Sequence, residues 1–461
     1  MLAKLPPELF DMVAKSLTSK NDLRSLSLVS RTIHHAVQKT LWTSLDLSPI
    51  KEDELWRFKS KPVLDKNLPM FRWPTELNFD SPFNQIEGER CPHCHDIENL
   101  EINVSYQGGE RGEKNSRFGC LSRAAESIVD ILPAHRLQKF TWGLGACMPD
   151  SLLGRHGILA RQQPQLRSLS LTTAGDCMEW TGTDLSPFRH LQSFCWRGPR
   201  VDDLCYAVDA AIQNNRTSLT HLELDFVDWP RLRDKLNPLL DDELNVIPGW
   251  DADFFGTKIL CMDKVLPERP LFSAMVSLSL SSVPLTGFEA HAFDFRALRS
   301  LTLRKCPGLH LFLAETNRIT FKSPLRLKTF EIHHIASRDQ EVSTAEHDAL
   351  LGFIGSFEGL HELFLSLPRP IDTLALWNKV VKQHGATLKR FVHHQRSLER
   401  KPGTMSMVDE DTDIPDFDLG PKLRLLNKEN PLRHLDCAQS IGISCLPEIL
   451  VSFITTIILT E

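Results

Sequence analysis

"LRSLSL", residues 166–171, is one of a set of near-copies, and their recurrence decides the fold. The same apolar-x-x-apolar-x-apolar hexamer stands as "LQKFTW" from Leu137, "LQSFCW" from Leu191, "LTHLEL" from Leu219, "MVSLSL" from Met275, "LRSLTL" from Leu298, "LKTFEI" from Leu327 and "LHELFL" from Leu360. "LKRFVH" from Leu388 and "LRHLDC" from Leu432 continue the series, and weaker copies, "WTSLDL" from Trp42 and "IENLEI" from Ile97, begin it. From Leu137 to Leu360 the mean step is about 28 residues, a period that signals a stacked array of supersecondary units. Successive residues of a strand point to opposite faces, so the second and third apolar positions point into the array and the residues between them face a concave sheet. Between hexamers, "AEHDALLGFIGSF" (345–357) and "TLALWNKVVKQHG" (373–385) show helical spacing and are expected on the convex side. The expected class is an α/β repeat solenoid with a parallel sheet; a single globular α/β domain explains the recurrence less well. The doubled step from Leu219 to Met275 predicts one degenerate or replaced unit.

The totals are compatible with that array. A chain of 461 residues with 41% apolar and 24% charged content has ample material for a core and is a folded-protein composition. The net charge of -6 argues against a nucleic-acid partner, which would be held by a basic surface. Eleven cysteines lack the dense even spacing of a disulfide framework, and "MLAKLPPELF" has no basic region followed by an apolar run. The expected compartment is therefore reducing, cytoplasmic or nuclear.

Before the hexamers lies a differently patterned segment. Pro6 and Pro7 pre-set a helix start near Pro7 and Glu8, because a first helical turn leaves their missing amides without consequence. Leu9, Val13 and Leu17, with Phe10 beside them, recur at helical spacing. Ser19-Lys20-Asn21-Asp22 reads as a capping box for a second helix carrying Leu23 and Leu26, and Ser30 as the cap of a third with Ile33, Ala36, Val37 and Leu41 inside. So small a unit cannot bury all these side chains by itself, so a partner or the rest of the chain must cover the remainder.

Leu5, Pro6, Glu8, Leu9, Val13, Leu17, Asp22, Leu23, Leu26, Val29, Ser30, Arg31 and Ile33 stand at the spacing of the F-box, which residues 5–42 resemble. The resemblance implies docking to a Skp-family adaptor and, through it, to the cullin of a ubiquitin ligase, with Leu5, Pro6, Leu9, Val13, Leu17 and Leu23 at the adaptor interface or in its immediate support. A plain helical cap of the array is the alternative, but it needs neither Leu-Pro-x-Glu nor Val-Ser-Arg at these offsets. The hexamers resemble irregular leucine-rich repeats, and "LRSLTLRKCPGL" with "LWNKVVKQHGATLKRFVHHQRS" looks like the divergent fungal branch of F-box proteins with such repeats. That family's Asn or Cys three places after the hexamer is met once, by Cys306; Ala174, Pro199, Val227 and Pro368 hold the place elsewhere. The expected organisation is an F-box at 1–45, a solenoid at 46–440 with insertions at 228–270 and 402–425, and an apolar tail at 441–461. The acidic "MVDEDTDIPDFDLGP" (407–421) reads as a solvated loop. Pro447 and Glu448 split the tail, leaving a run too short for the ~20 apolar residues of a membrane helix, so it reads as an incomplete repeat.

The sequence carries few chemical motifs. "CPHCH" (91–95) fits a haem-attachment pattern but lacks an export route; Cys91 and Cys94 have zinc-ligand spacing, with His93, His95 or Cys120 as further donors, but no second pair follows. "GGERGEKNS" (108–116) lacks the Lys-Ser/Thr order of a phosphate loop, and "WGLGACM" (142–148) lacks the third glycine of a dinucleotide fingerprint. The histidine pairs at 34–35, 333–334 and 393–394 read as surface or helix-packing residues. No enzyme activity, metal or cofactor is expected. The implied function is substrate recognition for a cullin-type ubiquitin ligase, with an unidentified target on the concave positions His221, Glu223, Asp225, Arg304, Glu331, Glu362 and Arg390, beside Ser168, Ser170, Thr172 and His333. The alternative is a non-catalytic scaffold that holds the adaptor without a ligase role.

Overall fold

A computed structural model describes residues 7–17, 19–47, 69–80, 117–173, 182–200, 203–227, 229–240, 253–262, 267–321, 325–333, 344–368, 373–396 and 431–443. Its contacts divide the chain into two compact units, 1–219 and 220–461. The expectations placed on Leu5, Pro6, Cys91, His93, Cys94, His95, Ile97 and the 402–425 insertion lie outside the described residues.

The first unit opens with helices α1 (Pro7–Ser16), α2 (Lys20–Ser27) and α3 (Arg31–Leu41). Their starts follow the expected caps: Ser19 Oγ accepts from the Asp22 amide at 3.4 Å and Ser30 Oγ from the Ile33 amide at 3.2 Å. Five parallel strands follow, β1 (Ser44–Asp46), β2 (Glu76–Asp80), β3 (Lys139–Gly143), β4 (Ser168–Thr172) and β5 (Ser193–Arg197), paired in sequence order. Helices α4 (Arg117–Ile131), α5 (Ile158–Gln162) and α6 (Asp209–Asn215) belong to the same unit. The second unit has seven parallel strands, again in sequence order: β6 (His221–Asp225), β7 (Ser277–Ser281), β8 (Ser300–Arg304), β9 (Thr329–His333), β10 (Glu362–Pro368), β11 (Arg390–Arg396) and β12 (Ser440–Ile443). Its helices include α7 (Trp229–Leu240), α8 (Leu309–Thr320), α9 (Thr344–Ile354) and α10 (Thr373–His384). Each unit is thus a parallel α/β array of the solenoid kind.

The hexamer acts as the sequence implies. In β4, Leu169 and Leu171 are buried while Ser168, Ser170 and Thr172 are half-exposed. In-register pairing aligns Leu77, Phe140, Leu169 and Phe194 in one inner row and Phe79, Trp142, Leu171 and Trp196 in the next. Burial of each such side chain contributes roughly 1.5–3 kcal/mol. The two expected helices at 345–357 and 373–385 are α9 and α10.

Two readings change, and the doubled step after Leu219 is resolved. "LRHLDC" is not a strand: residues Pro431–His434 form a tight 3-10 turn, and the last strand among the described residues is β12, from "AQSIGI" (438–443). Leu432 and Leu435 are buried three residues apart, a helical-turn spacing that imitates the first two positions of the hexamer. β2 had no sequence signal because Pro74 stands at the first hexamer position of "PTELNF", yet Pro74 is buried there and Leu77 and Phe79 fill the inner rows. The doubled step after Leu219 is an insertion, since β6 pairs directly with β7, His221 opposite Ser277. The insertion carries α7 and a short helix, Phe255–Ile259, with Gly256 against the buried side chain of Glu289.

Buried polar residues tie successive turns together. Asn215 Nδ2 donates to the carbonyls of Phe188 (2.7 Å) and Ala211 (2.8 Å), while its Oδ1 accepts from the Leu191 amide at 2.8 Å. Gln163 does the same one step earlier, its Oε1 accepting from the Arg136 and Leu137 amides at 2.9 Å each. Asn215→Leu keeps the volume but leaves Leu191 N–H and Phe188 C=O unpaired in the interior; it is expected to lower stability by about 2–4 kcal/mol in urea unfolding, and a change under about 0.5 kcal/mol would contradict this linkage.

Glu289 Oε2 accepts from the Thr286 amide and hydroxyl, both at 2.7 Å, and Oε1 has no hydrogen-bond partner among the described residues. Burial raises the pKa of its carboxyl, with the Asp253 charge adding to the effect. A folded-state pKa above the unfolded value gives stability that is complete at low pH and lost as pH rises through the folded value. Glu289→Gln, which mimics the neutral acid, is expected to flatten that loss, read as a smaller difference in melting temperature between pH 5 and pH 8.

Candidate functional site

Two surfaces carry the residues singled out in the sequence. The first is the outer side of the N-terminal helices. Phe10, Ala14, Leu23, Ile33, Val37 and Leu41 form a closed core, with Leu17, Leu26, Ala36 and Trp42 packed against it half-buried. In α1, Phe10 and Ala14 point into that core, and Leu9 and Val13 of the stripe read in the sequence point out. Leu9 is 42% exposed, Val13 44% and Met12, between them, 65%; Leu28 and Val29, in the turn between α2 and α3, are 86% and 58% exposed. Positions 9, 12 and 13 share one helix face by spacing. Leu23 is buried and supports the helices from beneath, and Leu17 flanks the core.

This helical group is fastened to the array. Lys20 Nζ donates to the Ser44 carbonyl at 2.8 Å and pairs with the Asp46 carboxylate on β1. Asn78 Nδ2 on β2 donates to the same carboxylate, at 2.6 Å, and to Ser44 Oγ at 3.1 Å. Although its partial burial works the other way, bonds from Lys20, Asn78 and Ser44 leave the Asp46 carboxyl below its usual pKa. Met12 and Leu28, which the motif does not include, and Val29, which it does, join the exposed apolar residues of these helices. Periodicity reports that α1 has apolar residues on two faces and cannot say which face the other helices take.

The second surface is the exposed side of β6–β11 in the second unit. Arg304 Nε donates to Glu331 Oε1 at 2.6 Å, and Arg390 Nη1 to Glu362 Oε1 at 3.4 Å. The Glu331 bond raises the Arg304 pKa, with the Glu223 and Asp225 charges adding to it, so four of the predicted positions share one field. The Arg390 guanidinium also lies 5.7 Å from the Phe364 ring centroid. Asp225 Oδ1 accepts from the Val227 amide at 2.8 Å, and His221 Nδ1 lies 2.8 Å from Thr220 Oγ1, which keeps both occupied locally. Between these charges run the half-buried hydroxyls of Ser277 and Ser279 on β7 and Ser300 on β8, with Ser281 and Thr302 buried beside them. In the first unit, Ser168, Ser170 and Thr172 occupy the corresponding face of β4. The charged pairs are partly exposed, and such pairs contribute about 0–1 kcal/mol each; they orient side chains more than they stabilise.

Two buried histidines underlie this face. Of the surface or helix-packing readings, His393 takes the second: it fills the third apolar position of its hexamer, aligned with Leu365 on β10 and Ile443 on β12, and packs on Trp377 of α10. Trp377 Nε1 can only donate, and it meets His393 Nδ1 at 3.0 Å, which puts the ring proton on Nε2. His384 Nε2 lies 3.0 Å from the Ile354 carbonyl oxygen. Burial lowers the pKa of both rings to about 4. Both rings are neutral in the folded protein at pH values where the unfolded chain binds protons. Their contribution is complete above about 6.5 and drains as pH falls toward 4, by roughly 3 kcal/mol per ring at most. Urea unfolding at pH 7 and pH 5 is expected to show a loss of stability that His393→Leu reduces; an equal loss in the variant would contradict the assignment.

Cys306, buried after β8, donates from Sγ to the carbonyls of Leu280 (3.3 Å) and Arg304 (3.4 Å). Burial raises the thiol pKa to about 12, so it is a neutral structural donor rather than a nucleophile. Among the described residues no group of three or more His, Cys, Asp or Glu could hold a metal ion, and no helix is long and apolar enough to cross a membrane. No family model matches the sequence, and neither does any curated protein.

Proposed function

We propose that this chain is the substrate-recognition subunit of a cullin-type ubiquitin ligase: its F-box-like N-terminal helices hold a Skp-family adaptor and its repeats present a target protein. The observation carrying this reading is the surplus of apolar surface on helices that already possess a closed core. Leu9, Met12, Val13, Leu28 and Val29 add nothing to that core, and exposed apolar side chains grouped on so small a module mark a protein interface. Each, once buried by a partner, contributes roughly 1.5–3 kcal/mol, enough for a micromolar or tighter complex after association costs.

The mechanism needs no chemistry from this chain. Holding a target beside the ubiquitin-charged enzyme raises its effective concentration at the transfer site. The Lys20–Asp46 tie fixes the helices to the first strands, so an adaptor seated on the helices is held at a set angle to the array's start. On the second unit, Glu223, Asp225, Glu331 and Glu362 outnumber Arg304 and Arg390, so the target segment expected there carries net positive charge or hydrogen-bond donors.

The test is recovery of a Skp-family adaptor and cullin with the tagged full-length chain. Leu9→Asp/Val13→Asp is expected to abolish adaptor recovery while leaving the melting temperature unchanged, because both side chains lie outside the core. Leu5→Ala/Pro6→Ala is expected to weaken recovery. Undiminished recovery with Leu9→Asp/Val13→Asp overturns the docking surface, and adaptor recovered without cullin favours the scaffold reading.

A further inference from the structure

In the first unit a cleft of about 290 Å³ opens at the rim where the chain leads into β4 and β5, lined by Gln165, Arg167, Arg189, His190, Gln192 and Ser218. The repeat puts them together. Arg167 and Gln192 are the second residues of consecutive hexamers, just before β4 and β5, with the Gln192 amide donating to the Arg167 carbonyl at 2.7 Å, and Gln165, Arg189 and His190 immediately precede the first leucines, Leu166 and Leu191. Since each of those leucines points inward, the residues around it turn out onto the rim.

Among the described residues no carboxylate lines the cleft. Arg296, Arg304, Arg318 and Arg390 each meet an aspartate or glutamate in this structure, but Arg167 and Arg189 have none among the described residues. Ser218 offers no free donor, since its hydroxyl is spent on the Leu191 and Asn215 carbonyls at 2.8 and 3.2 Å. What remains is two guanidinium forks, an imidazole and the Gln165 side-chain amide around a space with room for a small anion. Two fixed positive charges facing one cleft repel until a doubly charged anion enters, and guanidinium forks match the geometry of phosphate oxygens.

We propose that this rim cleft binds a phosphomonoester dianion, with Arg167 and Arg189 as the paired forks and the Gln165 amide as a neutral donor. The shared chemistry is the –OPO₃ group, either free or carried on a peptide hydroxyl. The site is independent of the adaptor-docking helices, so a Leu9→Asp/Val13→Asp chain binds as the wild type does.

The experiment is calorimetric titration of the full-length chain at constant ionic strength with two probes, inorganic phosphate and a neutral peptide bearing one phosphoserine, its unphosphorylated form serving as blank. Saturable one-to-one binding is expected, weakened about tenfold or more by Arg167→Gln/Arg189→Gln. The charge-matched control Arg155→Gln/Arg161→Gln, at exposed positions outside the cleft, is expected to leave affinity unchanged. Tighter binding of the phosphopeptide assigns a protein-borne phosphate, and binding of inorganic phosphate alone assigns a free one. No saturation by either probe up to about 10 mM, or equal affinity in the Arg167→Gln/Arg189→Gln chain, overturns the proposal.

Discussion

One backbone interaction repeats through both units and the rest of the array depends on it. The carbonyl of the second hexamer residue accepts two amides, those of the second and third residues of the next hexamer. Thr75 takes Gln138 and Lys139, Gln138 takes Arg167 and Ser168, and Arg167 takes Gln192 and Ser193, at 2.7–3.0 Å. In the second unit Thr220, Val276, Arg299, Lys328, His361 and Lys389 do the same for their successors at 2.7–3.1 Å. This forked bond sets the register at the start of each strand. A slip of one residue would turn every inner leucine outward, so the bond and the hexamer enforce each other.

From that constraint follow both the tolerance of the fold and its surfaces. Because only six residues per unit are prescribed, the connection between hexamers can lengthen into the insertion carrying α7 without disturbing the pairing of β6 with β7. The residues that cannot point inward are sorted by position. Those between and just after the apolar positions form the face with the Arg304–Glu331 and Arg390–Glu362 pairs, and those around the first leucine form the rim with Arg167 and Arg189. Interior polar residues such as Asn215 and Gln163 satisfy the backbone where helical connections rejoin the strands.

The N-terminal helices obey a different logic. Their core closes with Phe10, Ala14, Leu23, Ile33, Val37 and Leu41, and the tie through Lys20 to Asp46 is polar. Attachment to the array therefore leaves Leu9, Met12, Val13, Leu28 and Val29 uncovered. An apolar face that the chain's own fold does not use is the physical basis for assigning it to a partner.

The sequence by itself determined the strands, since alternation in a hexamer fixes which residues enter the core whatever surrounds them; it also determined the helix starts at Ser19 and Ser30, where a side-chain oxygen caps nearby amides. It missed β2, where Pro74 replaces the leading leucine, and misplaced the last strand, because Leu432 and Leu435 fit a helical turn as well as a hexamer. Tertiary structure alone decided which of two apolar faces of α1 meets α2 and α3, that His393 is interior, and that side chains adjacent to Leu166 and Leu191 converge on one cleft. The reason is the range of the forces involved: alternation and capping act within a few residues of chain, whereas face selection and convergence depend on neighbours about a whole repeat away.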